Sequence, residues 1–237
     1  MKFLRNLVSA VLGGISIGIG SAAFYTLKEE SLLIASFMFS LGFLAVVILN
    51  LNLFTDKAGY IFEKNRVQSN IKKLVITLLG NIIGALLTGF CFTSTLYDSA
   101  TIYLKNDIYG SYLDIFISSL LCGVLIFIAI HGFRKVGGFA GCAILITAST
   151  MIMMCDFEYS LFNVFTVSAG IQNVSSYAAL SLPIVAVIFL SAIGNALGAI
   201  IFASLYRFKE NTDDSHRRHH HNHHHSNNTE NKEEAGN

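Results

Sequence analysis

Charged residues, proline and tryptophan are scarce in this chain. Aspartate, glutamate, lysine and arginine make up 13% of its 237 residues, proline occurs once and tryptophan is absent. Because the charges are few and nearly balanced, with a formal net charge of +1, the composition indicates no basic surface for nucleic acid. It also argues against a soluble domain, in which about a quarter of the residues are charged.

Cysteine chemistry has equally little support in the sequence. The four cysteines lie in apolar segments and form no CxxC pair; they are Cys91, Cys122, Cys142 and Cys155. This spacing favours small buried side chains over disulfides or a metal site. The sequence also shows no pairing of a nucleophile with a base and no metal motif. We therefore expect a protein that is not an enzyme and has no cofactor and no bound metal.

Apolar sequence is what the chain has in abundance. Hydrophobic residues make up 53% of the chain, in runs long enough to cross a bilayer as helices. The six predicted spans cover residues 7–27, 31–50, 74–94, a stretch that ends near 130, 136–170 and 177–206. A signal peptide is the alternative for the first run, but its length and many glycines favour a transmembrane helix.

The distribution of positive charge predicts the orientation of these spans. Lysine and arginine concentrate at both termini and in the loops after the second and fourth spans, whereas the opposite loops hold Lys28 and Lys105. By the positive-inside rule, the chain is a multi-pass protein of the cell membrane with both termini in the cytoplasm.

The fifth run carries ionisable groups in the middle of apolar sequence. Residues 156–166 include Asp156, Glu158 and Asn163. A carboxylate at that depth costs at least ~2.5 kcal/mol on insertion scales, so it marks a functional position by default. The run of 136–170 is also too long for one straight helix across a core of ~30 Å. A helix that is broken here, with its irregular backbone lining a cavity, resolves both problems.

Two short motifs occur twice in the same order, which predicts an internal repeat. Residues 52–55 (Asn-Leu-Phe-Thr) match residues 163–166 (Asn-Val-Phe-Thr), and each motif is followed about 30 residues later by Gly-Asn-x-x-Gly-Ala, at 80–85 and 194–199. Three spans per repeat would place the two halves in opposite orientation. The predicted fold is an all-α membrane protein with six transmembrane helices in two inverted three-helix repeats, with helices 2 and 5 broken.

The carboxyl-terminal tail differs sharply from the rest of the chain. Residues 210–237 are hydrophilic and rich in histidine, so we predict a disordered cytoplasmic tail after a channel domain of residues 1–209. The histidines also raise the alternative of a divalent-metal transporter, although the spans lack a matching set of ligands.

Several segments resemble the formate/nitrite transporter family in one continuous register over residues 4–208. Residues 157–165 resemble its Phe-Glu-His-x-x-x-Asn-Met-Phe stretch, and residues 53–55 resemble its Leu-Phe-Thr motif. Residues 39–43 are similar to its Phe-Ser-Leu-Gly-Leu, and both Gly-Asn-x-x-Gly copies match its third and sixth helices. The resemblance implies an aquaporin-like protomer in a homopentamer within the lipid bilayer. It also implies passage of small monovalent anions or their conjugate weak acids, such as formate, nitrite or hydrosulfide.

The resemblance further implies which residues act along the path. Phe39, Phe43 and Ile152 would form an outer constriction, Leu53 and Phe54 an inner one, and Thr55 and Tyr159 would lie between them. Glu158, Asn163, Asn81 and Asn195 would support the broken segments. From the residues alone, Glu158 can be a proton relay or a structural hydrogen-bond acceptor, and the two asparagines can be ligands or can satisfy unwound backbone.

The chain departs from the family pattern at three positions. Tyr159 stands in place of the central histidine, and Gly123 in place of an asparagine expected in the fourth helix. The expected vestibule lysine aligns with Asp107, two residues from Lys105, which would take over its role of attracting anions.

Tyr159 raises a second functional hypothesis. A phenol with an ordinary pKa of ~10 is neutral, so it lends no proton near pH 7 and stabilises a bare anion poorly. The alternative is therefore a channel of the same fold for a small neutral solute, such as hydrogen sulfide, ammonia, urea or water.

Overall fold

The computed structural model describes the backbone of residues 2–63, 66–96, 111–170 and 181–234, and their side chains except at 2, 181 and 213–234. Regular structure in these ranges is helical throughout. The helices are α1 (Lys2–Leu27), α2 (Leu32–Ile48), α3 (Phe54–Gly59), α4 (Val67–Cys91), α5 (Tyr112–Val136), α6 (Gly138–Met154), α7 (Ser160–Ala169) and α8 (Ser181–Glu234). The predicted all-α fold is confirmed at this level.

Among the described residues, four helices are long and apolar enough to cross a membrane by length and composition. They are α1, α4, α5 and residues Leu182–Thr212 of α8. Helices α2 and α6 are equally apolar but have 17 residues each, which corresponds to ~26 Å of helix. Large apolar side chains are widely exposed, among them Phe139 at 90% and Phe90 at 70%. Such surfaces are typical of contact with lipid rather than with water.

Glycines let two pairs of long helices pack with their backbones in contact. A Cβ atom on Gly14 of α1 would lie 2.1 Å from the carbonyl oxygen of Asn81 on α4, and one on Gly84 would lie 2.1 Å from that of Val11. Helices α5 and α8 cross in the same way. There a Cβ on Gly123 would lie 2.1 Å from the Asn195 oxygen. Small residues at crossings of this kind are typical of helix pairs in membranes.

The crossing changes the interpretation of Gly123. The family register suggested that an asparagine had been lost there, yet no side chain fits at this position because the Asn195 backbone occupies the space. Gly123 is the α5 counterpart of Gly14, and both pack against an asparagine of the partner helix. The residue is therefore explained by helix packing.

Two irregular segments separate α2 from α3 and α6 from α7, and their backbones follow the same route. Helix α2 ends at Ile48, Asn50 has a φ of 52°, and Leu53 is extended before α3 begins. Helix α6 ends at Met154, Asp156 has a φ of 54°, and Tyr159 is extended before α7 begins. Among the described non-glycine residues, these two have a positive φ, a conformation that asparagine and aspartate tolerate best.

This correspondence shows that the sequence match between residues 52–55 and 163–166 does not align equivalent positions of the two segments. Residues 52–55 span the start of α3, whereas residues 163–166 lie inside α7. The structural counterparts of Asn52, Leu53 and Phe54 are Glu158, Tyr159 and Ser160. The Gly-Asn-x-x-Gly copies, by contrast, occupy matching places on α4 and α8.

Helix α8 continues past its apolar part as far as Glu234. It therefore runs beyond residue 209, where the sequence analysis ends the channel domain and begins a disordered tail. The division of the chain at that residue stays a prediction.

Candidate functional site

Asn81 ties the start of α3 to two other elements. Its Oδ1 accepts a hydrogen bond from the Phe54 N–H at 2.8 Å. Its Nδ2 donates to the carbonyl oxygens of Ala10 at 2.7 Å and Asn52 at 2.9 Å. The first N–H groups of a helix have no partner within it, and a buried backbone group without a partner is costly. The Asn81 side chain satisfies such groups on both sides of the irregular segment.

Asn195 makes the same three kinds of hydrogen bond at the start of α7. Its Oδ1 accepts from the Ser160 N–H at 2.9 Å, and its Nδ2 donates to the carbonyl oxygens of Ser119 at 3.0 Å and Glu158 at 2.8 Å. Asn81 and Asn195 are both completely buried. Each asparagine therefore holds one irregular segment and the next helix against a long helix.

Glu158 and Asn163 form a further link across the start of α7. The Asn163 Nδ2 donates to the Glu158 Oε2 at 2.7 Å and lies 3.5 Å from the Ser191 hydroxyl on α8. The carboxylate thus accepts from a side-chain amide one turn into α7. This contact favours the structural interpretation of Glu158 over that of a proton relay.

The predicted aromatic residues meet at Tyr159. Its ring centroid lies 5.6 Å from that of Phe43 and 6.4 Å from that of Phe39, and the two phenylalanines are 5.7 Å apart. Leu53 and Ile152 are completely buried in the same apolar cluster. Phe54 is also buried, with 4% of its surface exposed, but it does not belong to that cluster. Lys105 lies outside the described residues.

Three buried hydroxyl groups lie where α3 and α7 begin, and we call this set the hydroxyl junction. They are those of Thr55, Tyr159 and Ser160, and their oxygen atoms have no hydrogen-bond partner among the described residues. Thr55 lies beside the Tyr159 phenol, although the two oxygens do not meet the geometry of a hydrogen bond. A buried polar group left without a partner costs ~1–3 kcal/mol. The junction therefore retains hydrogen-bonding capacity that the described side chains do not use.

One residue near the junction is a cysteine that the sequence analysis predicts to be a small buried side chain. Cys122 of α5 is completely buried in the apolar cluster and lies close enough to interact electrostatically with Tyr159 and Glu158. The sequence analysis did not place Cys122 next to Tyr159.

The sequence analysis also did not predict an ion pair formed by Asp56, the residue after Thr55. The Arg134 guanidinium binds the Asp56 carboxylate through two hydrogen bonds of 2.7 and 3.0 Å, and Asp56 is only 2% exposed. Next to it, the Tyr60 hydroxyl lies 2.9 Å from His131 Nδ1, and Arg207 donates to the Gly59 carbonyl oxygen. These contacts fix α3 between α5 and α8.

No metal centre is evident in the part of the chain that the structure describes. Groups of three or more histidine, cysteine, aspartate or glutamate side chains with suitable geometry are absent there. His131 stacks on Phe127 with ring centroids 4.9 Å apart and contacts Tyr60.

Comparisons with known proteins give a consistent result. The chain is similar to a structure described as a pentameric formate channel with formate bound, at 20% identity and a TM-score of 0.71, over 88% of this chain and 95% of that one. It is also similar to an ion channel of the formate/nitrite transporter family, at 18% identity and a TM-score of 0.80, over 87% and 90% of the two chains. No curated protein matches the chain significantly.

The match to a family model is more extensive than these identities suggest. The model of the formate/nitrite transporter family matches residues 1–208, which include every helix described above apart from the polar end of α8. The resemblance noted in the sequence is thereby confirmed. Together with the apolar helices, it identifies a multi-pass membrane protein of a transport family. The chain belongs to the formate/nitrite transporter family.

Proposed function

We propose that this protein is a membrane channel for a small monovalent anion or its conjugate weak acid, with formate, nitrite and hydrosulfide as the leading candidates. The observation that carries the proposal is the hydroxyl junction between the starts of α3 and α7. The bound formate reported for the pentameric relative supports the substrate class, and its assembly supports a homopentamer here.

The proposed architecture has six transmembrane helices in two inverted three-helix repeats. Helices α2 and α3 together form a broken second span, and α6 and α7 form a broken fifth span. Three paired features support this arrangement: the positive φ of Asn50 and Asp156, the glycine crossings, and the matching hydrogen bonds of Asn81 and Asn195. With the positive charges on one side, both termini face the cytoplasm.

In this proposal the permeant moves past apolar side chains on both sides of the junction. Phe39, Phe43 and Ile152 narrow the outer side, and Leu53 and Phe54 narrow the inner side. Burial of all five residues supports their place next to the path. Lys105 would attract anions at the outer entrance, where a local positive potential raises their concentration.

The chemistry of the junction favours the neutral form of the permeant at the narrowest point. A bare anion loses its hydration in a low-dielectric passage, and the hydroxyl groups of Tyr159 and Thr55 replace only part of it. The nearest ionisable partner, Glu158, would repel an anion when ionised. A weak acid that takes up a proton in the vestibule avoids both costs, and it can exchange hydrogen bonds with neutral hydroxyls.

A channel for a neutral solute is the second candidate, and the same hydroxyls favour it. A junction of uncharged donors and acceptors suits hydrogen sulfide, ammonia, urea or water as well as a weak acid. Stopped-flow light scattering of proteoliposomes, combined with a pH dye in the lumen, separates the two for urea and water, which change the vesicle volume without changing the internal pH, whereas a weak acid acidifies the lumen.

Formate uptake into proteoliposomes as a function of external pH tests the leading proposal. We expect the rate to fall as the pH rises, in step with the fraction of protonated formic acid. A rate that holds up equally well at high pH would show that the bare anion crosses the junction.

A further inference from the structure

A cavity of about 660 Å³ lies on the side of α3 that the proposed topology assigns to the cytoplasm. It is bounded by α3, the first turns of α4, the end of α5 and the start of α1. We call it the basic cavity, since its charged wall residues include Lys57, Arg66, Lys73 and Arg134. It is large enough for a ligand of several heavy atoms.

The charges of the basic cavity are unbalanced. Among the described residues that line it, Glu63 is the acidic one, against four cations. Asp56 lies behind the wall and neutralises part of Arg134 through their two hydrogen bonds. Lys57 is 3.9 Å from the same carboxylate. Arg66 and Lys73 are exposed and form no ion pair with any described residue, so both remain available to a ligand in the cavity.

The polar neutral side chains of the wall do not compensate this charge. Asn70 donates its amide hydrogens to the Ile61 and Glu63 carbonyl oxygens, and Asn52 donates to the Asn6 carbonyl oxygen. Both amides therefore orient their hydrogen-bond donors toward the backbone. The charges of the cavity therefore favour an anion that contacts both Arg66 and Lys73.

We propose that the basic cavity is a binding site for a multivalent, phosphate-bearing anion that is distinct from the permeant. The charge balance carries this inference: the four cations exceed Glu63 and Asp56 by two charges, so a monovalent anion would leave half of the excess uncompensated, whereas a ligand with two negative charges matches it. Phosphate oxygens suit arginine especially well, because the guanidinium group can bind two of them in parallel.

The position of the cavity links this site to α3. Lys57 belongs to α3, Arg134 anchors the α3 residue Asp56, and Thr55 of the hydroxyl junction immediately precedes Asp56. A bound polyanion therefore bridges α3 to the first turns of α4 and to the end of α5. It stabilises the arrangement of α3 seen here, because a ligand that binds the folded form raises its stability.

Isothermal titration of the detergent-solubilised protein with pyrophosphate, at low salt, tests the site. We expect saturable binding that weakens as the salt concentration rises. The double variant R66Q/K73Q should weaken binding at least about tenfold, since each lost charge-assisted hydrogen bond is large on this scale. The matched control is K72Q, which removes an exposed lysine next to Lys73 that does not line the cavity.

Two results would overturn the proposal. One is the absence of saturable pyrophosphate binding to the wild-type protein, and the other is an equal loss of binding in K72Q and R66Q/K73Q. These titrations need no transport, so they are independent of the permeant.

Nanodiscs distinguish a free solute from a lipid headgroup as the source of the phosphate. If the ligand is a soluble phosphate compound, pyrophosphate binds equally in discs of phosphatidylcholine and in discs that contain phosphatidic acid. If a lipid headgroup fills the cavity, phosphatidic acid blocks pyrophosphate binding to the wild type. If phosphatidic acid also blocks pyrophosphate binding to R66Q/K73Q, the lipid does not bind at the proposed site, and the proposal is wrong.

Discussion

The side-chain oxygen of Asn195 accepts a hydrogen bond from the Ser160 N–H at 2.9 Å, and the side-chain nitrogen of the same residue donates to the Glu158 carbonyl oxygen at 2.8 Å. One amide thus satisfies the backbone on both sides of Tyr159. This bridge fixes the backbone on both sides of Tyr159, whose buried phenol belongs to the hydroxyl junction. Asn81 does the same around Leu53.

Substituting either asparagine with alanine should destabilise the protein and abolish transport. N195A removes the side-chain partner of the buried Ser160 N–H and of the Glu158 carbonyl oxygen, and each group left unsatisfied costs ~1–3 kcal/mol. Thermal unfolding in detergent should therefore show a large loss for N81A and for N195A. The control N6A removes an amide side chain with no hydrogen bond in the structure, and it should unfold within ~0.5 kcal/mol of wild type. Equal stability of N195A and N6A would refute the bridging role.

Alanine at Gly123 should disrupt the crossing of α5 and α8. The added Cβ would lie 2.1 Å from the Asn195 carbonyl oxygen, so the two helices must separate and displace the Asn195 side chain from Ser160. Overpacking of this kind costs ~1–3 kcal/mol. The matched control on the same helix is G132A, whose Cβ would meet a side-chain methyl group of Ile144 at 2.8 Å and no backbone atom. We expect lower thermal stability and slower uptake for G123A than for G132A, and the reverse order would contradict the packing explanation.

Substitution of Arg134 should weaken the attachment of α3 to α5. R134Q removes both hydrogen bonds to the buried Asp56 carboxylate and leaves Lys57, at 3.9 Å, as its cationic neighbour. Breaking a buried pair costs up to ~3–5 kcal/mol, and Lys57 and the water-exposed part of Arg134 lower that figure. In a double-mutant cycle, D56N/R134Q should be more stable than the sum of the single changes predicts. Purely additive effects on thermal unfolding would mean that the ion pair contributes nothing to the position of α3.

Removing the Thr55 hydroxyl should impair transport without affecting the fold. T55V keeps the shape of the side chain, and the lost oxygen has no hydrogen-bond partner in the described structure. Stability should stay equal or rise, while formate uptake should slow by about threefold to tenfold if the hydroxyl binds the permeant. The control T166V removes a hydroxyl that is bonded to Tyr25 at 2.8 Å, so it should lower stability instead. Unchanged uptake in T55V would remove Thr55 from the path.

The sequence was most informative where a feature occurs twice. The Gly-Asn-x-x-Gly-Ala copies singled out Asn81 and Asn195, because a polar residue among small ones in an apolar helix has few structural explanations. The carboxylates within the fifth run likewise pointed to an irregular segment near Glu158. In both cases a polar or charged residue lies within a long apolar run, and this contrast can be read directly from the sequence.

The predictions that were wrong concern features that depend on which face of a helix packs against its neighbour. A match of three common residues placed Asn163 opposite Asn52, although Asn163 lies inside α7 and Glu158 is the actual counterpart. Gly123 was interpreted as a lost polar residue because its contact with Asn195, 72 positions away in the chain, could not be seen. The pairing of Asp56 with Arg134 was hidden for the same reason. Each of these depends on the relative rotation of two packed helices, which hydropathy does not encode.

The central claim is that the permeant passes the Tyr159 phenol between the starts of α3 and α7. A panel of formate, nitrite, hydrosulfide and neutral solutes in proteoliposomes tests it most directly, with wild type, Y159F and Y159H compared at several pH values. Y25F serves as the control for loss of a buried phenol elsewhere. We expect slower transport in Y159F and a flatter pH dependence for anions in Y159H, because an imidazole can lend a proton near neutral pH. Identical rates and selectivity in wild type, Y159F and Y159H for every solute would contradict the account.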